Sequence, residues 1–239
     1  MSISSFIANQ PLNPMPIAIF LRTSKGQSLY RDAIIHSLNS GAGNYALICS
    51  GFFQENKATP KGPSPYQASL EPGFSAALVA NGIQLDTIGI HNHQWRASYV
   101  NFCNNLSAVG VTLVPYVMAG FQWHAKVFLL KQKENHLFGI IGSSNLTANA
   151  FGVSNMPALG TDSPFPPAKF NFECDVYFWS DTNTAIARMM EDLMNQDETR
   201  RQIILARYDE QDNFGRPIEE RLNDIEEQIW NAGALNTLF

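Results

Sequence analysis

Residues 121–151 read FQWHAKVFLLKQKENHLFGIIGSSNLTANAF, and this stretch decides the fold. It holds two short apolar runs, His124–Leu130 and His136–Gly142, whose length and Val/Ile/Leu/Phe content suit strands. The polar residues Lys131–Asn135 between them are expected to form the hairpin loop. Strand side chains two apart share a face. His124 and Lys126 should therefore project together from the first strand, and Ser143 and Asn145 from the end of the second. A nucleophile, a cation and two hydroxyl or amide donors would then converge. That is equipment for phosphoryl transfer without a metal. Asn145–Ala150 should next open a helix, with its free N–H groups available to an anion.

Outward from this hairpin, strands and helices alternate. Upstream, Ile17–Leu21, Tyr45–Phe53, Leu85–Ile90 and Val111–Val117 suit strands. Gln27–Asn39, Ser75–Asn81 and Gln94–Val109 suit helices, the first with Leu29, Ala33, Ile34 and Leu38 at helical spacing. Residues 1–16, with Pro11, Pro14 and Pro16, look like a loose leader, and a Pro/Gly-rich loop carries Lys57 and Lys61. Downstream, Gly152–Lys169 is a proline-rich excursion with the length of a lid or partner loop. Phe170–Trp179 is a strong strand, and Thr182–Phe239 reads as a helical, acidic tail. In that tail Ile218, Leu222, Ile225 and Ile229 form an apolar stripe, read as core rather than dimer seam, behind Pro217. This order of elements argues for a helix-covered mixed sheet.

Composition narrows the function classes. With 45% hydrophobic and 15% charged residues among 239, the chain is globular and can bury a full core. A net charge of −5 argues against nucleic-acid binding by the whole surface and leaves room for a local basic groove. Three scattered cysteines, Cys49, Cys103 and Cys174, read as reduced thiols, and no apolar run has the length of a membrane span. The expected location is the cytoplasm, with no membrane partner. His91 and His93 offer two metal ligands without a third in sight, so no metal or other cofactor is expected. Trp95 and Arg96 follow them and are candidates to stack on a base and contact phosphate.

The central stretch resembles the phospholipase D superfamily, whose signature is H-x-K-x4-D-x6-G-S-x-N. His124, Lys126, Gly142, Ser143 and Asn145 match it letter by letter. Lys131 stands where the signature has its aspartate, and the spacing from Lys126 to Gly142 is four residues longer. Both departures look more like the restriction-endonuclease branch than the phospholipases. In the family that aspartate supports local structure. Asn171-Phe172-Glu173 resembles the N-x-E element of nuclease members, in which the glutamate pairs with the catalytic histidine.

The resemblance implies an α/β, α-β-α sandwich over residues 1–181, and the helical extension that follows, 182–239, is expected to serve packing or dimer or partner contact. It implies a metal-independent phosphodiesterase. His124 would be the nucleophile, oriented by Glu173, with Lys126, Asn145 and Ser143 on the phosphate oxygens. Gly142, Ser144, Trp95 and Arg96 are expected to meet substrate. Nucleic acid is the favoured substrate, DNA over RNA, against a silent nucleotide-binding scaffold or a lipid phosphodiesterase. No second H-x-K occurs in the chain. A homodimer joined through the active-site face would supply the second histidine, and a partner subunit would supply any sequence specificity. Such a protein would suit an effector in a defence or restriction assembly.

Overall fold

A computed structural model describes residues 16–22, 28–55, 58–59, 62–63, 66–90, 93–119, 125–152, 172–196, 202–232 and 234–239. His91, His124, Asn171, Lys57, Lys61, the leader to residue 15 and most of the proline-rich excursion lie outside them. Eleven strands follow in order: β1 (Pro16–Arg22), β2 (Tyr45–Ser50), β3 (Ala58–Thr59), β4 (Gly62–Pro63), β5 (Gln84–Ile90) and β6 (Leu113–Ala119), then β7 (Lys126–Gln132), β8 (Asn135–Gly142), β9 (Glu173–Trp179), β10 (Ile203–Arg207) and β11 (Ala234–Thr237). The helices are α1 (Leu29–Asn39), α2 (Phe74–Ala80), α3 (His93–Ala108), α4 (Thr184–Met194) and α5 (Ile218–Asn231). Nine strands form one sheet in the order β10-β1-β9-β8-β7-β2-β5-β6-β11, and β3 and β4 pair apart from it.

The sheet is mixed. Strands β2, β5 and β6 run parallel, joined through α2 and α3, and every other pair is antiparallel. Alternation explains why the central strands are apolar throughout, since both faces are covered. Ala46, Ile48, Phe128, Leu130, Phe138 and Ile140 join the core shared with α1–α4. Their neighbours Leu47, Cys49, Val127 and Leu129 join the other, beneath α5. The result is the α-β-α sandwich expected from the sequence. Ser28 caps α1 by accepting from the Arg31 N–H, and Asn183 caps α4 in the same way through Ile186.

Three local expectations change. The hairpin loop is only Lys133–Glu134, because Lys133 takes a left-handed φ of 55° and lets Lys131 and His136 pair within the ladder. Residues 143–152 form turns rather than a helix. Leu146 bridges to Phe53, and the buried Leu146, Ala150 and Phe151 anchor the segment in the core. Finally, the C-terminal region also supplies both edge strands, β10 and β11. Helix α5 docks by the apolar stripe read from the sequence, with Ile218, Leu222 and Ile229 each 1% exposed. At about 1.5–3 kcal/mol for each fully buried aliphatic side chain, this face is core.

Candidate functional site

Strand register brings the candidate residues into one row. Arg22 of β1 lies opposite Glu173 of β9, Asp175 opposite Gly142 of β8, and Gly142 opposite Lys126 of β7. Next to these, Val127 faces Cys49, and Ser50 at the end of β2 faces Gly89 of β5. The row sits at the carboxyl end of the parallel strands, where open α/β sheets place their ligands.

Within the row, hydrogen bonds fix the turn that follows β8. Both backbone N–H groups of Ser143 and Ser144 donate to Asp175 Oδ1, at 3.0 and 3.1 Å, and Ser144 Oγ donates to Asp175 Oδ2 at 2.6 Å. Ser143 Oγ donates to Glu173 Oε2 at 2.5 Å and accepts from the Cys174 N–H. Gly142 has to be glycine, since a Cβ there would lie 2.6 Å from Asp175 Cα and from the Cys174 carbonyl oxygen. Asn145 is turned by the loop after β2. The Phe52 N–H donates at 3.1 Å, which identifies the facing amide atom as Oδ1, and Ser50 Oγ lies 3.2 Å from it. The Asn145 NH2 end is thereby left as the donor.

Burial sets the electrostatics of the row. Asp175 is 1% exposed, and burial pushes its carboxyl up to about 6 against the opposing Ser144 and Ser143 hydrogen bonds. The Lys126 ammonium is lowered by burial, with Glu173 and Asp175 pulling it back. Arg22 is buried and donates through Nη1 to the carbonyls of Asn149 and Ala150. Ser28 Oγ also donates to the Ala150 carbonyl. The segment from Ser143 to Ala150 is thus held from β9, from the β2 loop and from β1.

Residues 77–176 match the family model of the NgoFVII restriction endonuclease N-terminal PLD domain. The matched segment is similar to a phospholipase D-type domain and spans less than half of the chain. No curated protein sequence matches the chain. Among solved structures, the phospholipase D family member Nuc from Salmonella typhimurium is 15% identical, with a TM-score of 0.42 over 80% of this chain and 99% of its own. Yeast tyrosyl-DNA phosphodiesterase is 10% identical with a TM-score of 0.42, over 69% of this chain and 46% of its own. Polyphosphate kinase from Porphyromonas gingivalis is 11% identical with a TM-score of 0.39, over 80% and 28%.

Of the superfamily signature, Lys126, Gly142, Ser143 and Asn145 are brought to one end of the sheet, and Glu173 with them. The histidine of the signature, His124, lies outside the described residues. Ser144, expected to meet substrate, instead has its N–H and its hydroxyl on Asp175 and is 1% exposed. Trp95 packs its ring 4.2 Å from that of Phe52, next to the backbone N–H that holds Asn145, and Arg96 is exposed on α3.

Lys131, at the aspartate position of the signature, lies at the other end of β7. There it pairs with Glu226 of α5, Nζ to Oε1 at 2.7 Å, and His136 Nε2 lies 2.9 Å from Oε2. Sequence reading missed Arg22 and Glu226 as members of these clusters and held Asp175 only as an alternative to Glu173. Only Asp175 left a signal, two residues beyond Glu173 and so on the same strand face. Among the described residues no three His, Cys, Asp or Glu side chains cluster as a metal site. No described helix is long and apolar enough to cross a membrane.

Proposed function

We propose that this chain is a phosphodiesterase of the nuclease type, hydrolysing DNA in preference to RNA through a phosphohistidine on His124. The observation that carries the reading is the row built by Lys126, Ser143, Asn145 and Glu173 at one sheet end, within the segment matched to a restriction-endonuclease domain. In this reading a neutral His124 ring nitrogen attacks phosphorus while the other nitrogen donates to Glu173 Oε1, because Ser143 occupies Oε2. Lys126 and the Asn145 NH2 stabilise the non-bridging oxygens. Donors of this kind are worth about 3–4 kcal/mol each.

The P–O bond to the leaving group breaks, and its oxygen takes a proton. Water then attacks the phosphohistidine and restores His124. The proton donor is His124 of a second copy across a two-fold axis. His136, buried against Glu226 at the far end of the hairpin, and His36, in the last turn of α1, are remote from the row. Sequence specificity comes from a partner subunit. The test is cleavage of DNA and RNA in excess EDTA, wild type beside His124→Ala. Chelator-resistant cleavage that disappears in the variant supports the reading. Activity lost to EDTA and restored by magnesium or manganese overturns it.

A further inference from the structure

Asp175 belongs neither to the matched signature residues nor to the mechanism above, yet it is the most heavily hydrogen-bonded carboxylate of the row. Three donors from two consecutive residues end on it, and the absence of a side chain at Gly142 leaves the room it occupies. The turn it holds carries Ser143, which reaches Glu173, and leads directly to Asn145. No other described side chain accepts from the Ser143 or Ser144 N–H. We propose that Asp175 is the positioning residue of this site, a buried carboxylate whose bonds to the Gly142–Ser144 turn set Ser143 against Glu173 and aim the Asn145 amide. The proposal rests on the reading of the row as a phosphodiesterase site.

The charge on Asp175 matters as well as its shape. A carboxylate accepts at both oxygens, whereas a protonated one offers a donor that conflicts with those already aimed at it. The groups that face it are Glu173 and the buried Tyr177 on its own strand, Arg22 on β1, Lys126 on β7 and Tyr30 on α1. Burial places its protonation at about 6, so the turn loses its anchor on moderate acidification. The folded-state value stands above the ordinary value of 3.8. The ionised form is therefore destabilising relative to the unfolded chain, and the three donors offset part of that cost.

Two measurements test this, one independent of activity. In amide NMR, the Ser143 and Ser144 N–H signals should titrate together with a midpoint near 6. The titration should vanish in Asp175→Asn and move to higher pH in Ser144→Ala, which removes a bond that favours the ionised form. In kinetics, Asp175→Ala should lower kcat by about 10²-fold, the scale of a misplacement near 1 Å, with KM little changed. The acid limb of the Ser144→Ala rate profile should move upward with its amide midpoint. Ser143 and Ser144 amide signals that are the same in Asp175→Asn as in wild type overturn the proposal, as does an Asp175→Ala enzyme with wild-type kcat. A titrating turn in a wild-type protein that cleaves no nucleic acid instead overturns the phosphodiesterase reading and leaves the anchor standing.

Discussion

Glu226→Gln isolates the latch between α5 and the β7–β8 hairpin. Glu226 is 8% exposed and accepts from Lys131 Nζ at 2.7 and 2.9 Å and from Trp230 Nε1 at 3.3 Å, with His136 Nε2 at 2.9 Å. Burial alone would raise its carboxyl, but the close His136 ring and the Lys131 hydrogen bonds, with the lysine's charge, outweigh it and hold the group at about 2 against an ordinary 4.5. A depression of that size corresponds to about 3 kcal/mol of stability at neutral pH. Because the folded value is depressed, the contribution is complete above the ordinary value and fades as pH falls through about 2. By pH 3 about half remains. Urea unfolding of wild type and variant, followed by far-UV circular dichroism, should show a gap of about 2–3 kcal/mol at pH 7 that narrows toward pH 3. A gap under about 0.5 kcal/mol at pH 7, or one that stays constant with pH, refutes the latch.

Three further outcomes are expected. Glu173→Gln should keep the fold, lower turnover and displace the pH optimum, since the imidazole loses its carboxylate partner; unchanged kinetics would make the acid structural. Gly142→Ala forces a methyl against the Asp175 and Cys174 backbone and should cost about 1–3 kcal/mol in thermal unfolding. An unchanged Tm would show that the strands part without strain. Mixing His124→Ala chains with wild type should reduce activity as the square of the wild-type fraction, provided that subunits exchange. A linear fall, or an active monomer in sedimentation, removes the shared site.

The central architecture was legible because its strands are long, apolar and buried on both faces, which leaves a continuous signal in Tyr45–Ser50, Lys126–Gln132 and Asn135–Gly142. The edge strands were not. IILAR and ALNT are short, and pairing with β1 and β6 rather than composition makes them strands. The 145–150 helix failed for a related reason, as local propensity lost to the Phe53–Leu146 bridge and the Asp175 anchor. In the site, the spacing of Lys126, Ser143 and Asn145 carried the signal. The burial of Ser144 did not, because a serine looks the same in sequence whether its hydroxyl meets solvent or a carboxylate. Lys131 and Glu226 lie 95 residues apart, so nothing local announced their pairing.

The seating of β1 sets an order for folding during synthesis. The strand ends at Arg22, yet its neighbours are β9, beginning at Glu173, and β10, beginning at Ile203. A growing chain makes β1 early and finds both its hydrogen-bonding partners late, after the β2–β8 body has had time to form. Until then Ile17, Ile19 and the other apolar residues of β1 remain without their native pairing, and the flank of β8 that β9 will cover stays open as a template for another chain. Completion of the sheet therefore waits for β9 and β10, and nascent chains stalled short of residue 173 should be the aggregation-prone species.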